Sequence, residues 1–317
     1  EADAAMLADL EALHGESPAP RTTIAIEPAR TIISRNQSPD VPFDQSINMY
    51  RGCEHGCSYC FARPNHAYLG LSPGLDFETK LFAKPNAATL LEQELRKKHY
   101  KPSVIALGTN TDPYQPIERK FQLTRGILEV LERFQHPVAI TTKSFLVTRD
   151  IDILARMARN GLARVFMSVT TLDADIARKM EPRASTPSKR IEGIRLLAEA
   201  GVPAGVLFAP VIPALTDYDL ENVLKACSEV GATSAGFVML RLPLEVHGIF
   251  IEWLEEHFPG RKQHVLSIIE NMRNGKHNDA TFTSRMRGTG IFAELVRKRF
   301  EIACRRLGLN QERHPLR

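Results

Sequence analysis

The chain has 317 residues, of which 43% are hydrophobic and 25% charged, and its formal net charge is +4 at pH 7. This length is enough to bury a full core, and the composition is ordinary for a soluble globular protein. No apolar run approaches the roughly 20 residues of a membrane span, and the first residues show no secretory signal pattern. We therefore expect no membrane partner and a cytoplasmic protein.

The first 43 residues are polar and contain several prolines, with short β-like runs at 22–26 and 31–34. They predict an N-terminal extension packed on the main body. From residue 44 to about 245, short apolar runs alternate with helical patterns. The predicted strands are 46–50, 104–108, 138–142, 164–170, 204–209 and 235–240. The predicted helices are 87–98, 123–134, 151–160, 187–200 and 219–230.

This alternation indicates right-handed crossovers between parallel strands. Six such strands predict an α/β fold with an open six-stranded barrel over residues 44–245. A doubly wound sheet is the alternative, but no phosphate-binding G-x-G-x-x-G follows the first strand.

Residues 246–317 predict a C-terminal helical region, with helices at 249–258, 264–274 and 291–307. Residues 261–317 hold thirteen Lys and Arg against five Asp and Glu, so the positive charge is concentrated at this end. Such a surface binds phosphate through counterion release, or it is a solvated face that aids solubility. Arg285 and Arg287 lie in a loop and are expected to be free to reach the barrel mouth.

Three of the five cysteines, Cys53, Cys57 and Cys60, lie within eight residues in the spacing C-x3-C-x2-C. Three thiolates can hold three corners of a cubane iron–sulfur cluster and leave its fourth iron open for substrate or cofactor. A structural zinc site with His55 or His66 as fourth ligand is the alternative. An odd count with two isolated cysteines argues against a disulfide framework and fits a reducing compartment.

Polar residues follow four consecutive predicted strands. They lie at 108–118, 141–144, 168–171 and 209–213, and the sixth strand runs into 241–243. Each segment alone could shape a turn or cap a helix. Because function in α/β barrels collects at the carboxyl ends of the strands, the segments together predict a site beside the cysteine loop.

The cysteine spacing, with an aromatic residue just before the last Cys, resembles the signature of the radical S-adenosylmethionine (radical SAM) superfamily. The chain is most similar to an uncharacterised bacterial subfamily in the spore photoproduct lyase-related branch. The strings that carry this resemblance are Tyr50–Cys57, Phe61–Pro64, Gly108–Pro116, Glu181–Ala184 and Leu240–Val246. It implies a partial (β/α)6 radical SAM barrel with a [4Fe-4S] cluster, SAM, and a low-potential electron donor such as flavodoxin or ferredoxin.

The resemblance also implies roles for individual residues. Cys53, Cys57 and Cys60 would bind the cluster, and Tyr59 would lie against the adenine of SAM.

Five further residues match positions near SAM in the family. Thr111 and Asp112 fall in its SAM-contacting segment after the second strand. Lys143 matches a lysine that holds the SAM carboxylate, and Ser168 matches a hydroxyl at the same methionine end. Arg183 would bind a carboxylate or a substrate anion, because an Arg fork grips a carboxylate in two parallel bonds. The alternative for Arg183 is a surface arginine on a connecting loop.

One feature departs from the resemblance. Spore photoproduct lyases carry a hydrogen-donating Cys in the loop after the second strand, whereas Thr109–Asp112 contains none. The repair reaction is therefore not carried over, and Tyr114 or Tyr68 becomes a candidate hydrogen relay.

The sequence thus favours a radical SAM enzyme that cleaves SAM reductively and acts on a nucleic acid or nucleotide. A radical SAM enzyme that modifies peptides or proteins is one alternative. A non-catalytic iron–sulfur sensor is another.

Overall fold

A computed structural model describes residues 21–311 and 316. Its strands in chain order are Thr23–Ile26 (β1), Ile33–Arg35 (β2), Gln45–Ile47 (β3), Tyr50–Arg51 (β4), Lys80–Ala83 (β5), Ile105–Leu107 (β6), Val138–Thr142 (β7), Ala163–Ser168 (β8), Ala204–Val211 (β9) and Ser234–Met239 (β10). Seven of them form one sheet in the order β10-β9-β8-β7-β6-β3-β2.

The six strands from β3 to β10 in that sheet are parallel to their neighbours, and β2 is antiparallel to β3. Helices connect the parallel strands. The α-helices in chain order are Leu75–Thr79 (α1), Ala87–Leu95 (α2), Glu118–Phe121 (α3), Leu123–Arg133 (α4), Ile151–Arg159 (α5), Ala174–Met180 (α6), Pro187–Glu199 (α7), Leu220–Glu229 (α8), Val246–His257 (α9), Pro259–Met272 (α10), Ser284–Arg287 (α11) and Gly290–Arg306 (α12). The predicted α/β fold with six parallel strands and C-terminal helices is confirmed.

The first predicted barrel strand is wrong in its second half. The chain leaves the barrel after Ile47, and β4 pairs antiparallel with β5 in a separate three-stranded sheet of order β1-β5-β4. Strand β1 joins this sheet in parallel with β5. The sequence does not mark this break, because Met49 and Tyr50 follow Ile47 after a single polar residue and are buried like it.

Contacts between residues far apart in sequence fasten both ends of the described chain to the barrel. Strand β2 extends the barrel sheet beside β3. The side chain of Arg273 is buried and donates to the carbonyl of Leu240, just after β10, at 2.6 Å. Asp40 accepts a hydrogen bond from the Thr283 amide at 2.6 Å and pairs with Arg285. The boundaries near residues 43 and 245 stay predictions.

No helix within residues 21–311 and 316 has both the length and the apolar character that a membrane crossing requires. Cys227 and Cys304 are buried, as predicted, on α8 and α12.

Gly108 ends β6 with a positive φ of 85°, and a Cβ there would overlap the carbonyl oxygen of Thr141 in β7. Gly201 has a similar φ of 75°, but no atom lies within 4 Å of its would-be Cβ. We expect Gly201→Ala to lower the free energy of unfolding by about 1–2 kcal/mol, because only the left-handed backbone is penalised. Gly108→Ala should lower the free energy of unfolding by about 1–3 kcal/mol more than Gly201→Ala, because the backbone at Thr141 must move as well.

Urea unfolding of the two variants and the wild type measures this difference. If both variants lost the same free energy of unfolding, the close approach of Gly108 to the Thr141 carbonyl would not constrain the fold.

Candidate functional site at the cysteine loop

The cysteine loop follows β4 and is shaped by two glycines. Gly52 and Gly56 have φ of 75° and 67°, a region that favours glycine. A Cβ on Gly52 would meet Leu81 Cδ2 at 2.6 Å, and one on Gly56 would meet Arg183 Nη2 at 2.6 Å. At Gly52 the Phe77 carbonyl oxygen, at 2.7 Å, also excludes a side chain, whereas at Gly56 the ends of Arg183 and Glu78 would have to shift.

The thiols of this loop are not paired in disulfides. Cys53 and Cys57 are buried, and Cys60 is half-buried. Burial raises the pKa of all three thiols, that of Cys57 to about 12, and the neighbouring sulfurs raise it further for Cys53 and Cys57. Protonated thiols of this kind become ligands when a metal displaces the proton.

Among residues 21–311 and 316, no group of three or more His, Cys, Asp and Glu already lies close enough to hold a metal ion. The chemistry of the three thiols and the glycine-shaped loop nevertheless fit three corners of a four-iron cluster, in which each Cys binds a different iron.

Two arginines hold this loop in place, of which Arg63 is buried and Arg183 is half-buried. Arg63 is only 2% exposed and donates to the carbonyls of Cys57 and Gly56 at 2.9 and 3.0 Å. Arg183 donates to the Glu54 carbonyl, and both guanidinium groups pair with the carboxylate of Glu78. The bracing role of Arg63 was missed in the sequence, where it appeared only inside the Phe61–Pro64 string. A SAM or substrate contact for Arg183 stays a prediction.

The two histidines considered as zinc ligands already have partners in the protein. His66 Nε2 lies 2.9 Å from the Lys80 carbonyl. His55 is buried with Nδ1 3.4 Å from a carboxylate oxygen of Asp112, and burial lowers the pKa of His55 to about 4.

Asp112 links the segment after β6 to the end of β7. Its carboxylate accepts hydrogen bonds from Thr142 Oγ1 and the Lys143 amide, each at 2.7 Å, and from the Tyr114 amide at 2.9 Å. Thr111 Oγ1 donates to the Tyr50 carbonyl at 3.3 Å. These contacts hold the two strand ends and the entry to the cysteine loop in one arrangement. SAM contacts of Thr111 and Asp112 stay predictions.

A cluster of polar side chains lies beside Cys57, around the buried carboxylate of Glu181. Glu181 accepts hydrogen bonds from the Tyr59 hydroxyl and from Thr170 Oγ1, the latter at 3.0 Å, and pairs with buried Arg190. Lys143 Nζ lies 5.8 Å from the centroid of the Tyr59 ring. These five residues come from five separate segments, so the fold itself assembles the cluster.

The charges of this cluster balance one another. Burial acts to lower the pKa of Lys143, but the carboxylate of Glu181 and the sulfur of Cys57 outweigh it, so the pKa is raised. Burial acts to raise the pKa of Glu181, but Arg190 and Lys143 lower it below its ordinary value. Lys143 is therefore protonated and Glu181 ionised at neutral pH.

Sequence reasoning identified Tyr59 and Lys143 but missed Glu181 and Arg190 as site residues. Glu181 was visible only as the first letter of the Glu-Pro-Arg-Ala string, and Arg190 carried no signal on its helix. Both line a cavity of about 330 Å³ between α6 and α7. Ser168 lies nearby, with its carbonyl 2.9 Å from Arg190 Nη1 and its hydroxyl 3.1 Å from the Ala209 carbonyl.

The two candidate relay tyrosines lie in different surroundings. Tyr114 is fully buried, 5.9 Å from the guanidinium of Arg149 and beside Asp150. Tyr68 is 82% exposed. A catalytic role for Tyr114 stays a prediction, and its contacts are those of a packed core side chain.

Arg285 is not free, contrary to expectation. It pairs with Asp40, donates to Ser38 Oγ at 2.6 Å and lies over the ring of Phe282. Arg287 is exposed, and both arginines lie on the short helix α11 rather than in a loop.

A sequence model of the Radical SAM superfamily matches residues 47–227 of this chain. The match spans the cysteine loop, β6 to β9 and the Glu181 cluster.

Relatives with similar sequences are themselves uncharacterised. One from Mycobacterium tuberculosis is 38% identical over 221 residues, which is 69% of this chain and 65% of that protein. One from Methanocaldococcus jannaschii is 27% identical over 213 residues, covering 67% of this chain and 76% of the relative. The match thus spans just under two thirds of the length of the mycobacterial relative.

Solved structures of spore photoproduct lyase share the fold. In its complex with dinucleoside spore photoproduct, the lyase superposes with a TM-score of 0.65 at 15% identity, over 94% of this chain and 85% of that one. A double variant of the lyase with bound AdoMet and dinucleoside spore photoproduct gives a TM-score of 0.59 at 16% identity, over 93% and 84%.

The family implies a [4Fe-4S] cluster and SAM as cofactors. Since the family model covers more than half of the chain and contains the three-cysteine loop, the chain belongs to the radical SAM superfamily.

Proposed function

We propose that this protein cleaves SAM reductively at a [4Fe-4S] cluster held by Cys53, Cys57 and Cys60 and uses the radical on a nucleic acid or nucleotide. The observation that carries the proposal is the cluster of Tyr59, Lys143, Glu181 and Arg190 beside the cysteine loop. It presents an aromatic ring, a cation and a paired carboxylate next to three free thiols.

Cys53, Cys57 and Cys60 would hold a cluster that, once reduced by an external donor, would supply the one electron for cleavage of a C–S bond of SAM into methionine and a 5′-deoxyadenosyl radical. The chain has to bind the cofactor, fix its orientation and exclude water.

Lys143 is suited to hold a carboxylate. Its ammonium group is protonated and half-buried, and part of its charge is already balanced by Glu181. A charge-assisted hydrogen bond in such a place is stronger than one in water. The Tyr59 hydroxyl donates to Glu181 and so fixes the aromatic ring. The ring offers a flat apolar surface for the adenine. Ser168 lies at the end of β8, where its main-chain carbonyl is held by Arg190.

Two observations support a nucleic acid or nucleotide as the substrate. Spore photoproduct lyase, which shares this fold, binds a dinucleoside photoproduct. The C-terminal region of this chain carries an excess of Lys and Arg. Since the segment 109–112 has no cysteine, we propose a reaction other than photoproduct repair, with Tyr68 or Tyr114 as candidate hydrogen relay. A flavodoxin or ferredoxin in a reducing cytoplasm would supply the electron.

Anaerobic incubation with a strong reductant and SAM tests this function by the release of 5′-deoxyadenosine, measured with and without DNA, RNA or peptides. Stimulation by a nucleic acid supports the proposal. Stimulation by a peptide would replace the substrate class, and an absence of SAM cleavage would favour an iron–sulfur sensor.

The cluster ligands are tested by cysteine substitution. Anaerobically reconstituted wild-type protein should be brown, with about one four-iron cluster per chain. Cys53→Ala, Cys57→Ala and Cys60→Ala should each lose the cluster, because a three-thiolate site has no spare ligand. Cys227→Ala and Cys304→Ala serve as matched controls and should retain it, because both thiols are buried away from the loop.

Iron analysis and the visible absorption spectrum provide the measurement. A colourless, zinc-loaded wild type with full activity would contradict the assignment.

The role of Lys143 is tested by its affinity for SAM. Lys143→Ala should weaken SAM binding by about 1.5–3 kcal/mol, because it removes a charge-assisted contact to the SAM carboxylate. Lys225→Ala is the control, since Lys225 lies exposed on α8 and pairs with Glu229 one turn later. Equilibrium dialysis of the reconstituted protein gives both affinities. Equal affinities for SAM in the two variants would show that the SAM carboxylate lies elsewhere.

A further inference from the structure

Four side chains outside the Glu181 cluster form a surface that begins at the cysteine loop. Phe61 follows Cys60 directly and is 50% exposed, and the guanidinium of Arg241 lies 5.8 Å from its ring centroid. Phe282 is 52% exposed, and the guanidinium of Arg285 lies 4.6 Å from its ring centroid. Two exposed aromatic rings are thus each accompanied by an arginine.

Arg241 has unused hydrogen-bonding capacity. Its Nε is buried and donates to no acceptor in the described part of the chain. Its Nη1 contacts the sulfur of Met286 at 3.4 Å, and sulfur is a weak acceptor. A buried N–H group without an acceptor costs free energy, which a ligand oxygen would recover if the guanidinium group shifted to meet it.

The charge around Arg241 is also unbalanced. Arg285 is balanced by Asp40. Arg273 is buried nearby and donates to main-chain carbonyls at the end of β10 and in α11. Among residues 21–311 and 316, Asp40 pairs with Arg285 and no ion pair joins a carboxylate to Arg241. Asp40 still raises the pKa of Arg241, but burial and the charge of Arg285 outweigh it and lower that pKa. An anionic ligand would complete this arrangement.

The position of Arg241 relates the surface to the reaction. Arg241 lies two residues beyond β10, at the same carboxyl edge of the parallel sheet as Lys143 and Ser168. Its partner Phe61 is adjacent in sequence to a cluster ligand. A ligand held here lies beside the place where radical chemistry would start.

We infer that Phe61 and Arg241 form a nucleotide-binding site, in which a base stacks on Phe61 and a backbone phosphate of a single-stranded segment binds Arg241. The inference rests on the proposed function and names where its substrate binds. Aromatic rings alternating with arginines suit single-stranded nucleic acid, because every base offers a flat face and every phosphate a charge. A peptide carboxylate would satisfy Arg241 but would leave the exposed rings of Phe61 and Phe282 without a partner.

The test uses the reconstituted full-length protein and a fluorescein-labelled single-stranded oligodeoxynucleotide, with fluorescence anisotropy across a salt series. Arg241→Gln should weaken binding about tenfold at low salt and reduce the log–log salt slope by about 0.7, the contribution of one phosphate contact. Phe61→Leu should weaken binding about tenfold with an unchanged salt slope, because it removes stacking but no charge.

Two conservative variants guard against misfolding. Phe61→Tyr and Arg241→Lys should retain most of the affinity lost in Phe61→Leu and Arg241→Gln. Lys298→Gln is the matched control for lost charge, since Lys298 is an exposed cation on α12. It should change the affinity less than twofold. A loss with Lys298→Gln as large as that with Arg241→Gln would overturn the inference in favour of a diffuse basic surface.

A second arm separates base from phosphate. An oligonucleotide of abasic sites should bind wild type about tenfold more weakly than the normal strand, and Phe61→Leu should bind both equally. Equal binding of both strands by wild type would refute base stacking at Phe61. Acidic peptides that bind more tightly than the oligonucleotide would reassign the surface to peptides.

The failure of this inference differs from failure of the proposed function. Wild-type protein that cleaves SAM but binds no oligonucleotide at low salt overturns the nucleotide site and a polynucleotide substrate, and leaves reductive SAM cleavage standing. Wild-type protein that fails to cleave SAM overturns the proposed function.

Discussion

The buried carboxylate of Glu181 organises the candidate site. A carboxylate removed from water is costly unless its oxygens are paired and hydrogen-bonded. Glu181 meets this requirement with Tyr59, Thr170 and Arg190, and it also raises the pKa of Lys143. Each partner is fixed in turn. Tyr59, which lies between Cys57 and Cys60, and Lys143, which follows β7, therefore occupy defined positions. Removing the charge of Glu181 would leave a buried arginine without its counter-ion.

A second constraint connects this cluster to the barrel. Gly108 lets the chain pass the Thr141 carbonyl without a side chain, and four residues later the carboxylate of Asp112 binds the Lys143 amide and Thr142 Oγ1. The ends of β6 and β7 are thereby locked together by a short segment. Because Lys143 is held through its main chain, its ammonium group is positioned without using any of its own donors. These remain available for an anion.

The parts of the fold that the sequence predicted are those with local signals. Strand β7 was predicted with its observed bounds, since a short apolar run after a Pro is unambiguous, and the crossover helices end within three residues of their predicted ends. The cysteine loop was found because its three cysteines lie within eight residues. Strand β5 was missed because Lys80–Ala83 is four residues long and its pairing with β1 depends on residues more than fifty positions earlier.

In the candidate site, too, residues within one segment could be predicted from the sequence, whereas contacts between distant segments could not. Tyr59 and Glu181 are 122 residues apart, and no sequence pattern reports that one hydroxyl meets one carboxylate. Arg285 appeared in the sequence as a loop cation free to reach the barrel mouth, yet Asp40, 245 residues earlier in the chain, neutralises it. Arg241 was predicted only as part of the polar end of the sixth strand, although its buried Nε has no acceptor among the residues that the structure describes. A local excess of arginines in the sequence therefore predicts that a region attracts anions. Which guanidinium group is free to bind an anion depends on carboxylates that are distant in sequence.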